Sequence, residues 1–232
     1  FQPKVTPCTG AISSAEVLVR WIRNGQMLWP SIYIPLFEQN GFVISLDYYV
    51  YGKTFQWLQK YSDTLPEHFQ ISLNVSPLHF EQPQIFIDKI QELLRTYQVD
   101  PTHLTFEITE STYVNNTDAV NQVIRSFKQY NIRISMDDFG SGYSSLNTLK
   151  DLLFDEVKID RKFLGDTLTE NSRIVLQEVF HMLKRMGKSI VCEGVETQEI
   201  ADFLQNEGCN EIQGFLYYRP MCQEDFEKLI LK

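Results

Sequence analysis

Two aspartates, Asp137 and Asp138, stand side by side in "RISMDDFGSGYSSL" (133–146), where an apolar strand pattern gives way to glycine and serine. Adjacent carboxylates at a strand end are hard oxygen donors, and one of them could bridge two cations while the other binds one. Further apolar runs carry polar groups at or near their ends: Asn74 in "FQISLNVS", Glu107 in "LTFEIT", Lys158 and Asp160 in "FDEVKID", Glu193 in "KSIVCEG", and Gln213 in "CNEIQG". Glu16 and Arg20 in "AEVLVRW" are four residues apart, so strand alternation would turn both to one side. Carboxylates with an amide oxygen, and no His or Cys among them, favour Mg²⁺ or Mn²⁺ over zinc. Two such ions roughly 3.5–4 Å apart clamp the attacking and leaving oxygens of an in-line phosphoryl displacement and lower the pKa of a bridging water.

Each residue alone has a plainer explanation. Glu16 could pair with Arg20, Asn74 could cap "SPLHF", and Lys158 could neutralise Asp160. What argues for chemistry is their joint recurrence at strand ends, because a charge among apolar residues is costly unless paired or metal-bound. The tripeptide Asp138-Phe139-Gly140 also matches the D-F-G of protein kinases. No Gly-rich phosphate loop, V-A-I-K lysine or H-R-D loop accompanies it, so the match is a coincidence.

The elements that must position these groups alternate. Strand patterns cover 15–21, 69–76, 104–109, 132–138, 154–160, 188–194 and 209–214, and "FQPKVT" at the start offers an eighth. Amphipathic helical patterns lie between and after them at 46–61, 83–97, 117–130, 171–186, 197–207 and 223–231. Such alternation implies parallel pairing and, with eight strands, a (β/α)₈-type barrel whose chemistry sits at the C-terminal strand ends. The other candidate, a doubly wound open sheet, lacks a G-x-G-x-x-G after any strand.

With 232 residues, 43% hydrophobic and 22% charged, the chain can bury a sizeable core as one domain spanning 1–232. The net charge of −9 argues against a groove for DNA or RNA, so an anionic ligand would need bound cations or a few placed Arg and Lys. Cys8, Cys192, Cys209 and Cys222 are scattered and read as buried reduced thiols. No signal peptide is expected, and no apolar run approaches the roughly 20 residues that span a bilayer, so no membrane contact is expected of this segment. The chain opens at Phe1 inside a strand pattern. It is therefore expected to be a fragment of a longer multidomain protein, cytoplasmic itself, with any sensor domain or membrane tether elsewhere.

In order and spacing, "SAEVLVRW", "LNVS", "FEITES", "MDDFGSGYSSL", "VKIDRKF", "CEGVET" and "QGFLYYRP" resemble EAL domains, the cyclic di-GMP phosphodiesterases. The resemblance runs over nearly the whole chain. It implies a modified TIM barrel with one antiparallel strand that hydrolyses cyclic di-GMP to linear pGpG with two Mg²⁺ or Mn²⁺ ions. It assigns Glu16, Asn74, Glu107 and Asp137 to the first metal. Asp137 bridges to a second, which Asp138 and, with less support, Asp160 also hold. Lys158 matches the lysine that contacts the nucleophilic water, and Glu193 the proposed general base. Arg20 would contact a ligand phosphate, Gln213 would line the site, and Glu110 would anchor the loop after the paired aspartates. Pro35, in "YIPLFE", falls in a loop the family uses near the guanine. The resemblance also implies a homodimer.

Three departures from the family pattern, Val17, Ser141 and Cys192, remove no functional group. Two other functions compete with the phosphodiesterase. One is a catalytically silent cyclic di-GMP receptor that signals to partner domains, although members of that kind typically lose metal ligands or the lysine. The other is a metal-dependent barrel enzyme for a different small substrate.

Overall fold

A computed structural model describes residues 1–66, 68–141, 153–165 and 168–231. Eight strands close into a barrel in the order β1 (Gln2–Val5), β10 (Glu211–Ile212), β9 (Ser189–Cys192), β8 (Glu156–Ile159), β7 (Arg133–Phe139), β6 (Leu104–Thr109), β5 (Gln70–Asn74) and β2 (Ile12–Val17). Only β1, the "FQPKVT" segment, runs antiparallel to its two neighbours; the other pairings are parallel. The expected barrel with one reversed strand is therefore what forms.

The chain between β2 and β5 departs from the sequence reading. The strand expected over 15–21 is β2, which begins earlier and stops at Val17, so Arg20 leaves the sheet. A hairpin follows, β3 (Trp21–Arg23) pairing with β4 (Gln26–Leu28) across Asn24-Gly25. Both turn residues have positive φ, 51° and 75°. That conformation is what an Asn-Gly hairpin turn requires, and the dipeptide was a readable signal. Next come α1 (Pro30–Gln39), which the helical pattern did not reveal, and α2 (Phe42–Tyr61), which starts before the expected 46.

The remaining described helices are α3 (Pro83–Tyr97), α4 (Glu110–Asn115), α5 (Thr117–Lys128), α6 (Arg161–Leu164), α7 (Glu170–Arg185), α8 (Gln198–Asn206) and α9 (Gln223–Ile230). The strands alternate between the two faces except at register shifts in β1 after Lys4 and in β7 after Met136. Outward positions such as Ile71, Leu73, Phe106, Ile134, Met136, Val157 and Ile190 are fully buried under helices. Phe106 illustrates this layer, with ring centroids 6.0 Å from Phe86 of α3 and 5.1 Å from Phe127 of α5. Burying such a side chain stabilises the fold by roughly 1.5–3 kcal/mol, so the layer between sheet and helices carries the stability.

Most inward positions are polar, Val191 of β9 being an exception. Lys4, Ser14, Glu16, Ser72, Thr105, Glu107, Ser135, Asp137, Glu156 and Lys158 are all buried. A (β/α)₈ interior is more often filled by branched apolar residues. Here hydrogen bonds and ion pairs fill it, and this polar column leads up to the C-terminal mouth. Of the cysteines, Cys192 and Cys209 are buried as expected, but Cys8 and Cys222 are exposed.

Candidate active site at the barrel mouth

Each candidate reaches the mouth through its strand. Glu16 is the last inward residue of β2, and Asn74 closes β5 opposite Glu107 of β6. Asp137 lies on β7, Lys158 on β8, Glu193 just past β9 and Gln213 just past β10. Glu16 accepts hydrogen bonds from Asn74 Nδ2 at 2.6 Å and Gln213 Nε2 at 2.7 Å. Its partner is not Arg20. Lys158 Nζ sits in a ring of carboxylates, 3.0 Å from Asp137 and 3.6 Å from Glu16, and in direct contact with Glu107 and Glu193. Nor does Asn74 cap "SPLHF", since Ser76 does so by accepting from Leu78 N.

Adjacent strand residues normally point to opposite faces, which would send Asp138 into the helix layer. The structure avoids this with a bulge. The β7–β8 register shifts between Met136 and Phe139, and Asp138 takes a left-handed φ of 57°. Asp tolerates that region at a cost of about 1 kcal/mol. The second carboxylate thereby stays half-buried at the mouth, where Asp160, Lys158, Lys162 and Glu16 act on its charge. Glu110 Oε2 accepts from Gly140 N at 3.3 Å, just after the bulge. The rest of that loop, 142–152, lies outside the described residues.

Burial is the largest influence on Glu193, Glu107, Asp137, Asp138 and Lys158. It pushes Glu193 up to about 8, against the pull of Lys158 and with help from Asp137, Glu16 and Glu107. Glu107 is fully buried, yet Lys158 and Lys4 overcome the desolvation and hold it at about 2. Burial also raises Asp137, with Lys158 opposing. For Lys158, desolvation is outweighed by the surrounding carboxylates, which keep its ammonium firmly protonated.

Oxygens of Glu16, Glu107 and Glu193 lie within 4.8 Å of one another, so together they could hold a metal ion. The donor set fits a hard divalent cation: carboxylates crowd a single ammonium, Asn74 adds an amide oxygen, and no described His or Cys intrudes. Gln213 Oε1 is buried without a hydrogen-bond partner among the described residues.

Three predicted residues stand apart. Arg20 is exposed at the rim, with Nη1 donating to Val19 O at 2.9 Å. Pro35 is not in a loop but exposed inside α1, whose Ile34 and Glu38 line the neighbouring cavity instead. Asp160 caps α6 by accepting from Lys162 N at 2.7 Å and does not pair with Lys158. The cavity, about 410 Å³, is also lined by Val17, Arg20, Asp47 and Asn74, so it opens directly beside the carboxylates.

Sequence reasoning passed over two residues of β1. Gln2 pairs in register with Glu16 and accepts from Gln213 Nε2 at 3.1 Å; Lys4 Nζ donates to Glu107 Oε1 at 2.8 Å. The signal was polar residues two apart in a short strand otherwise reading as buried.

The EAL domain family model matches residues 1–220. The chain belongs to the EAL domain family. The bifunctional diguanylate cyclase/cyclic di-GMP phosphodiesterase MucR of Pseudomonas aeruginosa is 33% identical over 226 residues, 97% of this chain and 33% of that protein. A second cyclic di-GMP phosphodiesterase of the same organism is 31% identical over 231 residues, 98% of this chain and 39% of its own length. This EAL domain thus spans about a third of the length of the curated relatives it matches. Among solved structures, the MucR phosphodiesterase in complex with c-di-GMP superposes with a TM-score of 0.89 at 32% identity, covering 97% of this chain and 92% of that one.

One backbone approach in the EAL domain gives a direct test of how the mouth is built. A Cβ at Gly214, next to Gln213, would lie 2.0 Å from Val195 O and 2.4 Å from Val195 N. Backbone atoms cannot rotate away, so Gly214→Ala is expected to destabilise the domain by about 1–3 kcal/mol or more. Thermal unfolding checks this, and an unchanged midpoint would contradict the packing at this strand end.

Proposed function

We propose that this EAL domain hydrolyses cyclic di-GMP to pGpG with the help of two Mg²⁺ or Mn²⁺ ions. The observation that carries the reading is the convergence of Glu16, Glu107 and Glu193 around Lys158, with Asn74, Asp137 and Asp138 at the same mouth. When bound, the ions would neutralise the phosphodiester and lower the pKa of a water to make a nucleophile at neutral pH. Glu16, Asn74, Glu107 and Asp137 would hold one, and Asp137, Asp138 and Asp160 the other.

The chain's own groups do the rest. Glu193, its pKa raised to about 8 in the metal-free chain, would be ionised once cations are bound beside it and could then take the water's proton near neutral pH. Lys158, fixed among carboxylates, supplies positive charge where negative charge develops on the phosphate oxygens. Arg20 at the rim is free to reach a ligand phosphate on the cavity side, and Gln213 holds Glu16 in place. The relatives named as cyclic di-GMP phosphodiesterases support the substrate.

The test is incubation of the purified chain with cyclic di-GMP and Mg²⁺ or Mn²⁺, followed by chromatography for pGpG. Binding without product under either metal would overturn the enzyme reading and leave a receptor module. We further propose that the domain dimerises and serves an upstream sensor domain in a longer cytoplasmic or membrane-tethered protein; of this, the relatives' lengths support only the longer protein. Sedimentation of the purified chain as a monomer at all concentrations would exclude the dimer.

Metal binding should also move protons. Below about 8 Glu193 is largely protonated in the metal-free chain, and a divalent cation held at the adjoining Glu16 and Glu107 would drive that proton off. Affinity for Mn²⁺ is therefore expected to rise with pH up to about 8 and then level off, with about one proton released per site at pH 7. Calorimetry in two buffers of different ionisation enthalpy measures the release; identical heats in both would contradict it.

A further inference from the structure

Lys4 is not among the residues to which the reaction assigns a task, yet it touches one of them directly. It lies on the reversed strand β1, paired with Ser14 of β2, one inward step below the Gln2–Glu16 pair. Its side chain is 1% exposed, and Nζ donates to Ser72 Oγ at 2.8 Å and to Glu107 Oε1 at 2.8 Å. The ammonium therefore rises from the layer beneath the mouth and grips the lower oxygen of Glu107. The other oxygen, Oε2, contacts Lys158 and so faces Glu16, Asp137 and Glu193.

This division of the carboxylate bears on cation choice. Mg²⁺ and Mn²⁺ favour compact octahedral sites, whereas Ca²⁺ takes six to eight oxygens and readily uses both oxygens of one carboxylate. We infer that Lys4 is a specificity-determining positioning residue: by tying down Glu107 Oε1 it leaves only Oε2 turned toward the mouth, and so disfavours Ca²⁺ relative to Mn²⁺. The inference rests on the two-metal reading above. Ser72 completes the device by fixing the lysine's end, so that Glu107 cannot swing to offer both oxygens while keeping this bond.

The test uses the metals alone, without cyclic di-GMP. Mn²⁺ binding is read from the free-ion EPR signal and Ca²⁺ binding by competition, and the quantity of interest is the ratio of the two dissociation constants. Removing the positive charge of Lys4 strengthens binding of any divalent cation, and that common factor cancels in the ratio. In Lys4→Met the preference for Mn²⁺ over Ca²⁺ is expected to fall by about tenfold or more, the scale of other outer-shell substitutions. Ser72→Ala, which slackens the lysine without removing its charge, should shift the ratio in the same direction by about two- to threefold.

Circular dichroism establishes that each variant is folded. An unchanged ratio in folded Lys4→Met overturns the inference. If that variant does not fold, an unchanged ratio in Ser72→Ala overturns it instead. Absence of Mn²⁺ binding by the unaltered protein would remove the two-metal reading and Lys4's part in it together, whereas Mn²⁺ binding with unaltered selectivity in the variants removes Lys4's part alone.

Discussion

Replacing Glu16 with glutamine is expected to lower turnover of cyclic di-GMP by about 10²–10³-fold while leaving the metal-free barrel at least as stable. Glutamine has the same shape, so the packing survives. Glu16 accepts from Asn74 at 2.6 Å and from Gln213 at 2.7 Å. The new amide can still accept from Asn74, and it can donate to Gln213 Oε1 if Gln213 turns over and Gln2, which now accepts from Gln213 at 3.1 Å, turns with it. The lost charge relieves the crowding of carboxylates around Lys158, which favours the metal-free fold. The same loss leaves a divalent cation one anionic ligand short. Turnover measured by pGpG formation should therefore collapse while the unfolding midpoint in EDTA holds or rises. Retained turnover would remove Glu16 from the ligand set, and a large drop in midpoint would show that it acts through the fold.

The strand ends were legible because their physics is local. A polar residue at or near the end of an apolar run marks the mouth of a parallel barrel: Asn74 ends β5, Glu193 and Gln213 follow β9 and β10, and Glu107, Asp137 and Lys158 lie one or two residues inside their strands. Pairings that depend on distant segments were not legible. Lys4 meets Glu107 across 103 residues of sequence, and only closure of the barrel brings them together. The bulge at Asp138 was hidden for a different reason: Asp is compatible with both a strand and a left-handed turn, so its identity does not reveal which it adopts. The Asn24-Gly25 hairpin was legible but masked by the apolar stretch before it, which extended the expected strand through Arg20. That overextension is why Arg20 was placed beside Glu16, when the chain in fact carries it out to the rim.

The opposite sign on stability distinguishes the second prediction, Lys158→Met. This change removes the one ammonium that contacts Glu16, Glu107, Asp137 and Glu193 together. Lys4 still reaches Glu107, but nothing described replaces the cation for the other three. Breaking a buried pair by deleting one partner costs about 3–5 kcal/mol, so the metal-free variant should unfold well below the original. The penalty should grow with pH. Without Lys158 the carboxylates bind protons more tightly, and at low pH they escape the repulsion by being neutral; as pH rises they must ionise against one another. Added Mn²⁺ should restore more of the midpoint in this variant than in the original, because the ion supplies the charge that the methionine lacks. Turnover should nevertheless stay down by about 10²–10³-fold even with the metal bound, since a fixed positive charge beside the reacting phosphate is gone. A variant that regains stability with Mn²⁺ and also regains full turnover would reduce Lys158 to a counter-ion of the empty site, whereas stability without turnover gives it a part in the chemistry itself.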